Sequence, residues 1–249
     1  MNPMELQLID DLPLFAANAR QAHARLAVEQ TMAAAATDLP AALRYIPYRE
    51  LVEWWLGNAR IRADRFVLVG ARPALLNAAG AVASHSGAIV QVKVRRELDP
   101  AGHTVAARVP AAFDTALAEL SGTAAEVCVI DDVLMSGHTL SAVVDRIRAA
   151  APAASISIRL FLENAFAGRE FRARHPDMPI QSARRVDYRP VAEGTAIFLR
   201  DLLYGTLRGK EFLDQSDLLR PFFGSDLGPF HALRATIDGV ARPSPIGSR

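Results

Sequence analysis

Residues 127–140 constrain the fold of this 249-residue chain more than any other segment. They begin with the continuous apolar run 127–130, which is typical of a strand buried on both faces. Two adjacent carboxylates, Asp131 and Asp132, follow the run, and a short turn leads into the amphipathic segment 141–150. This order predicts a site at the carboxyl end of a parallel strand, where open α/β sheets bind their ligands.

Similar apolar runs occur on both sides of this strand along the chain. The patterns predict strands at 66–70, 87–94, 126–130, 155–162 and 182–188, and helices at 74–84, 113–120, 139–151 and 169–174. Strands that alternate with helices imply parallel βαβ units. We therefore predict a doubly wound α/β fold with a mostly parallel sheet, and we assign its ligand-binding core to residues 65–164.

The two ends of the chain have a different pattern. Apolar side chains recur at helical spacing in residues 12–36 and 48–59, which predicts a helical N-terminal extension over residues 1–64. Residues 165–249 contain the end of the core and a mixed pattern of helices and loops. The tail from Arg242 onward is rich in proline and glycine and is expected to be frayed.

Charge and composition exclude several classes of protein. The 28 basic and 27 acidic residues give a formal net charge of +1, which does not favour nucleic acid or an anionic membrane as a partner. The single cysteine, Cys128, lies within the apolar strand, so neither a disulfide framework nor a cysteine metal site is expected. No apolar run approaches the roughly 20 residues that span a bilayer, and the N-terminus does not resemble a secretory signal. We expect a cytoplasmic protein.

The acidic pair and the loop after it suggest a particular kind of ligand. Adjacent carboxylates repel each other unless a cation or hydroxyl groups lie between them. A ribose cis-diol fits, because each hydroxyl can donate a hydrogen bond to one carboxylate. Residues 135–139 add backbone N–H groups, two hydroxyls and a glycine at a predicted helix N-terminus, where Ser136 or His138 is expected to cap the helix. Such a loop favours phosphate, so the sequence predicts a phosphorylated sugar.

Residues 129–140 resemble the phosphoribosyl pyrophosphate (PRPP) signature of the type I phosphoribosyltransferases. In that family, apolar residues lead into two acidic residues, three variable residues and then Ser/Thr-Gly-any-Ser/Thr, and this chain matches every defining position. The resemblance implies that Asp131 and Asp132 bind the ribose 2- and 3-hydroxyls. The residues that it assigns to the 5-phosphate are Met135, Ser136, Gly137, His138 and Thr139.

The turn after the first core strand is similar to the pyrophosphate site of the same family. The residues that the resemblance assigns to pyrophosphate are Gly70, Ala71 and Arg72. Gly70 and Ala71 allow a close approach of the backbone, and Arg72 supplies a cation. Pro73 departs from the family pattern and removes one backbone donor, so pyrophosphate would bind more weakly here or in a different arrangement.

Residues 95–109 are polar, contain a proline and a glycine, and are predicted to form a loop. They resemble the mobile catalytic loop of orotate-type members, in which a basic pair leaves the second core strand. Arg95 and Arg96 correspond to that pair, although the usual later lysine is missing. A closing loop that carries arginine would neutralise the departing pyrophosphate and exclude water.

The resemblance implies an Mg²⁺-dependent phosphoribosyltransferase of nucleotide metabolism. Such an enzyme transfers the 5-phosphoribosyl group from PRPP to a nitrogenous, nucleobase-like small molecule and releases pyrophosphate. Its catalytic residues would be Arg95, Arg96, Asp131 and Asp132, which stabilise a transition state resembling an oxocarbenium ion. No metal site built from side chains is expected, because Mg²⁺ would bind through PRPP, with Asp131 as a candidate ligand through water.

Met135 narrows the choice of acceptor. Members that act on 6-oxopurines typically have an acid at this position to handle a proton of the base, and methionine cannot do so. The remaining acceptors are adenine, orotate or an unusual molecule. The acceptor hood of the family comes from the chain ends, here residues 1–64, residues 165–249 or both, and members usually form homodimers.

Two other functions remain open. The departures at Pro73 and in the mobile loop are compatible with a regulatory protein that binds PRPP without catalysis. The chain shows no helix-turn-helix pattern or basic face, which argues against a DNA-bound repressor. The third reading is a specialised biosynthetic step that transfers a phosphoribosyl or ribosyl group to a non-standard acceptor.

Overall fold

The computed structural model describes the middle of the chain almost continuously and the two ends in short segments. The described residues are 6–9, 43–47, 50, 53–54, 63–69, 88–98, 104–120, 122, 124–186, 196–198, 202–203, 206–207, 210–211, 213–214 and 227–241. The chain divides into two compact units. Leu51–Asp187 forms one, which we call the core unit, and Met1–Glu50 with Tyr188–Arg249 forms the other, the terminal unit.

The structure gives the bounds of twelve strands and four α-helices. The strands in chain order are β1 (Leu6–Ile9), β2 (Leu43–Ile46), β3 (Arg65–Val69), β4 (Ala88–Val92), β5 (Arg95–Leu98), β6 (Thr104–Arg108), β7 (Glu126–Leu134), β8 (Ser155–Asn164), β9 (Ile180–Val186), β10 (Ala196–Phe198), β11 (Thr206–Leu207) and β12 (Lys210–Glu211). The helices are α1 (Ala112–Leu117), which continues into a 3₁₀ turn at Ala118–Leu120, α2 (His138–Ala150), α3 (Ala165–Arg174) and α4 (Gly228–Ala241).

A five-stranded sheet forms the centre of the core unit. Its strand order is β4-β3-β7-β8-β9, and every neighbouring pair is parallel. The order reverses between β3 and β7, which is the switch point of a doubly wound sheet. The predicted α/β fold with a mostly parallel sheet is therefore confirmed.

The buried core lies between the sheet and helices α1 and α2. Leu140, Val143, Val144 and Ile147 line the buried side of α2, at the spacing that brings side chains onto one helix face. They belong to one cluster with apolar side chains of β7 and β8, of which Val129 is fully buried. Burying one such aliphatic side chain contributes about 1.5–3 kcal/mol, so this layer fixes α2 against β7.

Two elements of the core unit differ from the sequence prediction. β7 does not end at Ile130 but continues to Leu134, because β8 pairs with it over that whole length. The prediction of a loop over residues 95–109 was wrong, since β5 and β6 form an antiparallel hairpin with a register irregularity between Glu97 and Leu98. Both faces of an antiparallel pair can carry polar side chains. For that reason the polar pattern of this segment did not indicate its two strands.

The terminal unit contains strands that the sequence did not predict. β1 pairs in parallel with β2 on one side and with β10 on the other, so both ends of the chain contribute to one small sheet. β11 and β12 form an antiparallel pair, and Phe230 and Leu233 of α4 are buried. Within the described residues, no helix is long and apolar enough to cross a membrane.

Several predictions fall wholly or partly outside the described residues. The helices expected at 12–36 and 74–84 lie outside them, and of the helix expected at 48–59 only Glu50, Glu53 and Trp54 are described, all of them helical. The compact units meet at 50/51 and 187/188, whereas the predicted functional division was at 64/65 and 164/165. That functional division, and a hood built from the chain ends, stay predictions.

His175 links α2 to the end of α3. Its ring is buried, with the ring centroid 4.5 Å from that of Phe171, and its Nδ1 lies 3.1 Å from Nη1 of Arg148 on α2. Arg148 can only donate, so Nδ1 accepts and the neutral ring keeps its proton on Nε2, 3.4 Å from Oγ of Ser141. Burial lowers the pKa of His175, and the charge of Arg148 lowers it further, against the opposing charge of Asp145.

We expect His175 to make the folded state sensitive to mild acid. Its pKa is lower in the folded than in the unfolded chain, so the unfolded state binds the proton first as the pH falls. The stabilisation is present above the ordinary histidine pKa of about 6.5 and is lost as the pH falls through the folded value. Urea unfolding of wild type and His175→Gln at pH 8 and pH 5 measures the effect. Equal losses of free energy in both proteins would contradict it.

Candidate functional site

The acidic pair lies buried near the carboxyl end of the central strand β7. Asp131 is 2% and Asp132 4% exposed. Oδ1 of Asp131 accepts a hydrogen bond from the backbone N–H of Asp132 at 2.9 Å, and Oδ1 of Asp132 accepts one from Val133 at 2.8 Å. Since burying a carboxylate is costly without polar partners, a strand that holds two in succession is typical of a binding site rather than of a packing layer.

Gly137 forms the turn between β7 and α2. It is the N-cap of α2 and has a left-handed backbone, with φ +80° and ψ −11°. No side chain caps this helix start, so the expectation that Ser136 or His138 would do so was wrong; instead, Oγ of Ser136 and Nδ1 of His138 lie 3.0 Å from each other. The backbone N–H groups of the first turn of α2 are therefore available to an anionic ligand.

The residues around Gly137 explain why glycine occupies this position. A Cβ here would lie 3.3 Å from Cδ2 of Phe171 and 3.4 Å from Nη2 of Arg174, in addition to the strain of the left-handed backbone. The end of α3 thus packs closely against the turn. Arg174 also lies 3.4 Å, through Nη1, from Oγ of Ser141 in α2. This cation beside the loop was not predicted from the sequence.

The other predicted site residues are only partly described. Gly70, Ala71 and Arg72 lie outside the described residues, although β3, which precedes them, pairs with β7. Arg95 and Arg96 are exposed at the start of β5, directly after the end of β4, and pair with Arg108 and Ala107 of β6. The carboxyl ends of parallel strands lie at one edge of a sheet. This edge therefore carries the acidic pair, the 135–139 loop and the start of the arginine hairpin.

A buried carboxylate at the end of β8 was missed by the sequence analysis. Glu163 is 0% exposed and is the register partner of Leu134 on β7 and of Arg185 on β9. Arg172 of α3 donates to both carboxylate oxygens, at 2.5 and 2.9 Å. Oγ of Ser182 donates to Oε2 at 3.0 Å, and Nε of Arg185 donates to Oε1 at 3.1 Å.

These partners decide the charge state of Glu163. Burial by itself would raise the pKa of the carboxyl group. Hydrogen bonds from Arg172 and Ser182, together with the charges of Arg172 and Arg185, outweigh burial and hold the pKa of Glu163 below its ordinary value. Gly168 of α3 makes room for the group, since a Cβ there would lie 2.0 Å from Oε1 of Glu163. One sequence signal was available, because Glu163 follows an apolar run of its strand as Asp131 does.

The start of α3 exposes an aromatic side chain. Asn164 caps the helix, and its Oδ1 accepts a hydrogen bond from the backbone N–H of Phe166 at 3.1 Å. Phe166 is 51% exposed, and the guanidinium of Arg169 lies 5.8 Å from the centre of its ring. A capped helix start thus fixes the backbone that carries a solvent-facing ring at the edge where ligands bind.

No protein-family model and no curated protein matches the chain. Several solved structures are similar to it at low identity, and three of them follow. A hypothetical protein from Neisseria gonorrhoeae with bound ppGpp is 15% identical, with 68% of this chain and 90% of that chain covered and a TM-score of 0.40. An adenine phosphoribosyltransferase from Thermoanaerobacter pseudethanolicus is 18% identical, with 56% and 80% covered and a TM-score of 0.40.

The third similar structure is a purine phosphoribosyltransferase from Pyrococcus horikoshii. It is 17% identical, with 62% of this chain and 91% of that chain covered and a TM-score of 0.41. The function proposed below rests on the residues of this chain and not on these similarities.

We expect Gly137→Ala to destabilise the chain more than Gly122→Ala. Both glycines have a left-handed backbone, which costs an alanine about 1–2 kcal/mol. A Cβ at position 122 meets nothing within 4 Å, whereas one at position 137 presses on Phe171. Urea unfolding of the two variants separates backbone strain from the packing of the turn. Equal losses of unfolding free energy in the two variants would show that Phe171 can move aside without a cost in stability.

Proposed function

We propose that this chain is a phosphoribosyltransferase of the type I family. It would transfer the 5-phosphoribosyl group from PRPP to a nitrogenous, nucleobase-like acceptor and release pyrophosphate. The observation that carries the proposal is one continuous segment of the core unit. In it, the buried carboxylates of Asp131 and Asp132 are followed, after the last residues of β7 and a short turn, by the left-handed Gly137 and by a helix start that no side chain caps.

The two halves of this segment suit the two ends of a ribose 5-phosphate. Each carboxylate uses Oδ1 for a backbone N–H of β7, and a ribose hydroxyl is a suitable donor to a second oxygen of such a group. The backbone N–H groups that follow Gly137 point along the start of α2, where the helix dipole favours a phosphate. Ser136 in the turn and Thr139 in the first turn of α2 supply hydroxyl groups.

Charge separation is the main problem of the proposed reaction, because pyrophosphate leaves a sugar that becomes cationic. Buried carboxylates under the ribose would stabilise the cationic sugar, and Arg95 and Arg96 of the hairpin would stabilise the leaving group. The donor set of Asp131 and Asp132 fits Mg²⁺, which prefers oxygen ligands and keeps several waters. When bound, Mg²⁺ would neutralise charge on pyrophosphate and ribose oxygens.

The described residues contain no group of three or more His, Cys, Asp or Glu side chains that could hold a metal ion. Mg²⁺ that enters the site with PRPP stays a proposal. Asp131, through a water molecule, remains the candidate protein ligand. The pyrophosphate turn at Gly70, Ala71 and Arg72 stays a prediction.

Met135 limits the chemical class of the acceptor. Its side chain is 37% exposed in the loop between the acidic pair and α2. It can contact an acceptor ring, but it cannot exchange a proton with one. We therefore propose an acceptor outside the 6-oxopurines, with adenine, orotate or a non-standard molecule as the alternatives.

We expect Asp132→Ala to abolish PRPP binding while the protein stays folded, because the variant removes one of the two carboxylates proposed to bind the ribose. Isothermal titration of PRPP with Mg²⁺ into the full chain measures affinity, and circular dichroism checks the fold. Asp114→Ala is the matched control, since Asp114 pairs with Arg146 between α1 and α2 and takes no part in the proposed site. Unchanged PRPP affinity in Asp132→Ala would refute the assignment.

We expect the full chain to release pyrophosphate from PRPP in the presence of Mg²⁺ and a suitable base. A coupled pyrophosphate assay across adenine, hypoxanthine, guanine, uracil and orotate tests this, with hypoxanthine and guanine expected to be inactive. Tight PRPP binding without turnover on any acceptor would refute the proposed transferase activity. It would favour a regulatory protein that binds PRPP without catalysis.

A further inference from the structure

The proposed phosphate turn has no lysine or arginine of its own. None occurs between Arg108 and Arg146 in the chain, so the turn and the start of α2 supply only backbone N–H groups, hydroxyl groups and the imidazole of His138. A phosphate monoester carries a charge of about −1.5 to −2 at neutral pH. A guanidinium or ammonium group that faces such a ligand must therefore come from another element of the fold.

Arg174, the last residue of α3, lies against this turn. Its Nη2 is 3.4 Å from the position that a Cβ would take at Gly137, and its Nη1 is 3.4 Å from Oγ of Ser141. The backbone N–H of Ser141 donates to the carbonyl of Gly137 at 2.8 Å and so closes the first turn of α2. The guanidinium therefore spans the turn whose earlier N–H groups have no acceptor within the helix.

The charge of Arg174 is not compensated by an acid. Among the residues that the structure describes, Arg174 forms no ion pair with a carboxylate, whereas Arg148 nearby donates to both oxygens of Asp177 at 2.8 and 2.9 Å. Arg174 donates to two neutral acceptors, Oγ of Ser141 and the carbonyl of Glu170, each at 3.4 Å. These contacts are longer than an ordinary hydrogen bond, so a charged acceptor can displace them.

The carboxyl end of α3 explains only part of this placement. Helix carbonyl groups favour a cation in the last turn, and Nε of Arg174 faces one of them. The terminal nitrogens contact α2 instead, and the positive end of that helix opposes a cation unless an anion is bound there. The negative end of α3 lies beside the turn, since Phe171 packs against Gly137, and Arg174 neutralises it where it would weaken phosphate binding.

We propose that Arg174 binds the 5-phosphate from the side of α3 and supplies the charge that the turn lacks. This inference rests on the proposed phosphoribosyl transfer, because it adds a residue of a different helix to the phosphate site of that reaction. The planar guanidinium offers two N–H donors that match two oxygens of a phosphate group. The ligand class that the turn and Arg174 select together is a sugar phosphate monoester.

Isothermal titration of ribose 5-phosphate into the full chain measures the contribution of Arg174. Arg174→Gln is expected to weaken binding roughly tenfold, which corresponds to the loss of one charged hydrogen bond. Arg174→Lys keeps the charge without the planar pair of donors, so its affinity is expected to lie between those of wild type and Arg174→Gln. Titrations of PRPP with Mg²⁺ are expected to give the same order.

Arg169→Gln is the matched control. It removes the same charge from another exposed position of α3, where the guanidinium of Arg169 lies 5.8 Å from the centre of the Phe166 ring. This variant is expected to keep the wild-type affinity for ribose 5-phosphate. Circular dichroism and urea unfolding check that each variant is folded at the temperature of the titration.

Three results would overturn the role of Arg174: an unchanged affinity for ribose 5-phosphate in Arg174→Gln, an equal loss in Arg169→Gln, or a loss in Arg174→Gln that Arg174→Lys does not reduce. PRPP binding by wild type tests the proposed function separately. A chain that binds ribose 5-phosphate through Arg174 but does not bind PRPP would refute phosphoribosyl transfer and leave the phosphate site standing. Tight PRPP binding that does not depend on Arg174 would do the reverse.

Discussion

The pairing of β7 between β3 and β8 is the constraint on which the rest of the core unit depends. β3 pairs with β7 from Val127 to Ile130, and the contact with β8 extends to the last residue of β7, Leu134. Because of this support, the strand can hold Asp131 and Asp132 buried at its carboxyl end, where unsupported backbone would expose them. The apolar side chains of α2 then fix this helix, which starts after the turn at Gly137, against the sheet.

Close packing around two glycines sets the shape of the site edge. Gly137 turns the chain from β7 into α2 with a left-handed backbone, and Phe171 of α3 lies against it. Gly168, one turn earlier on α3, leaves the space that the carboxylate of Glu163 fills. Helix α3 therefore contacts both the proposed phosphate loop and the buried acid, and small residues permit both contacts.

The buried acids of this edge differ in the partners that the structure describes for them. Glu163 receives hydrogen bonds from Arg172, Arg185 and Ser182, and these keep it ionised despite complete burial. The hydrogen bonds to Asp131 and Asp132 described above come from backbone N–H groups of β7, which supply no positive charge.

The sequence by itself determined the parallel sheet, the strand that carries the acidic pair and the glycine turn after it, because buried parallel strands are continuous apolar runs and local motifs need only neighbouring residues. It could not determine that β7 extends past Ile130 or that residues 95–109 form a hairpin, since partner strands decided both. Nor could it predict that Glu163 contacts Arg172, Ser182 and Arg185. These residues follow Glu163 in the chain by 9, 19 and 22 residues. Those contacts exist only where the tertiary fold brings β8, α3 and β9 together at one edge of the sheet.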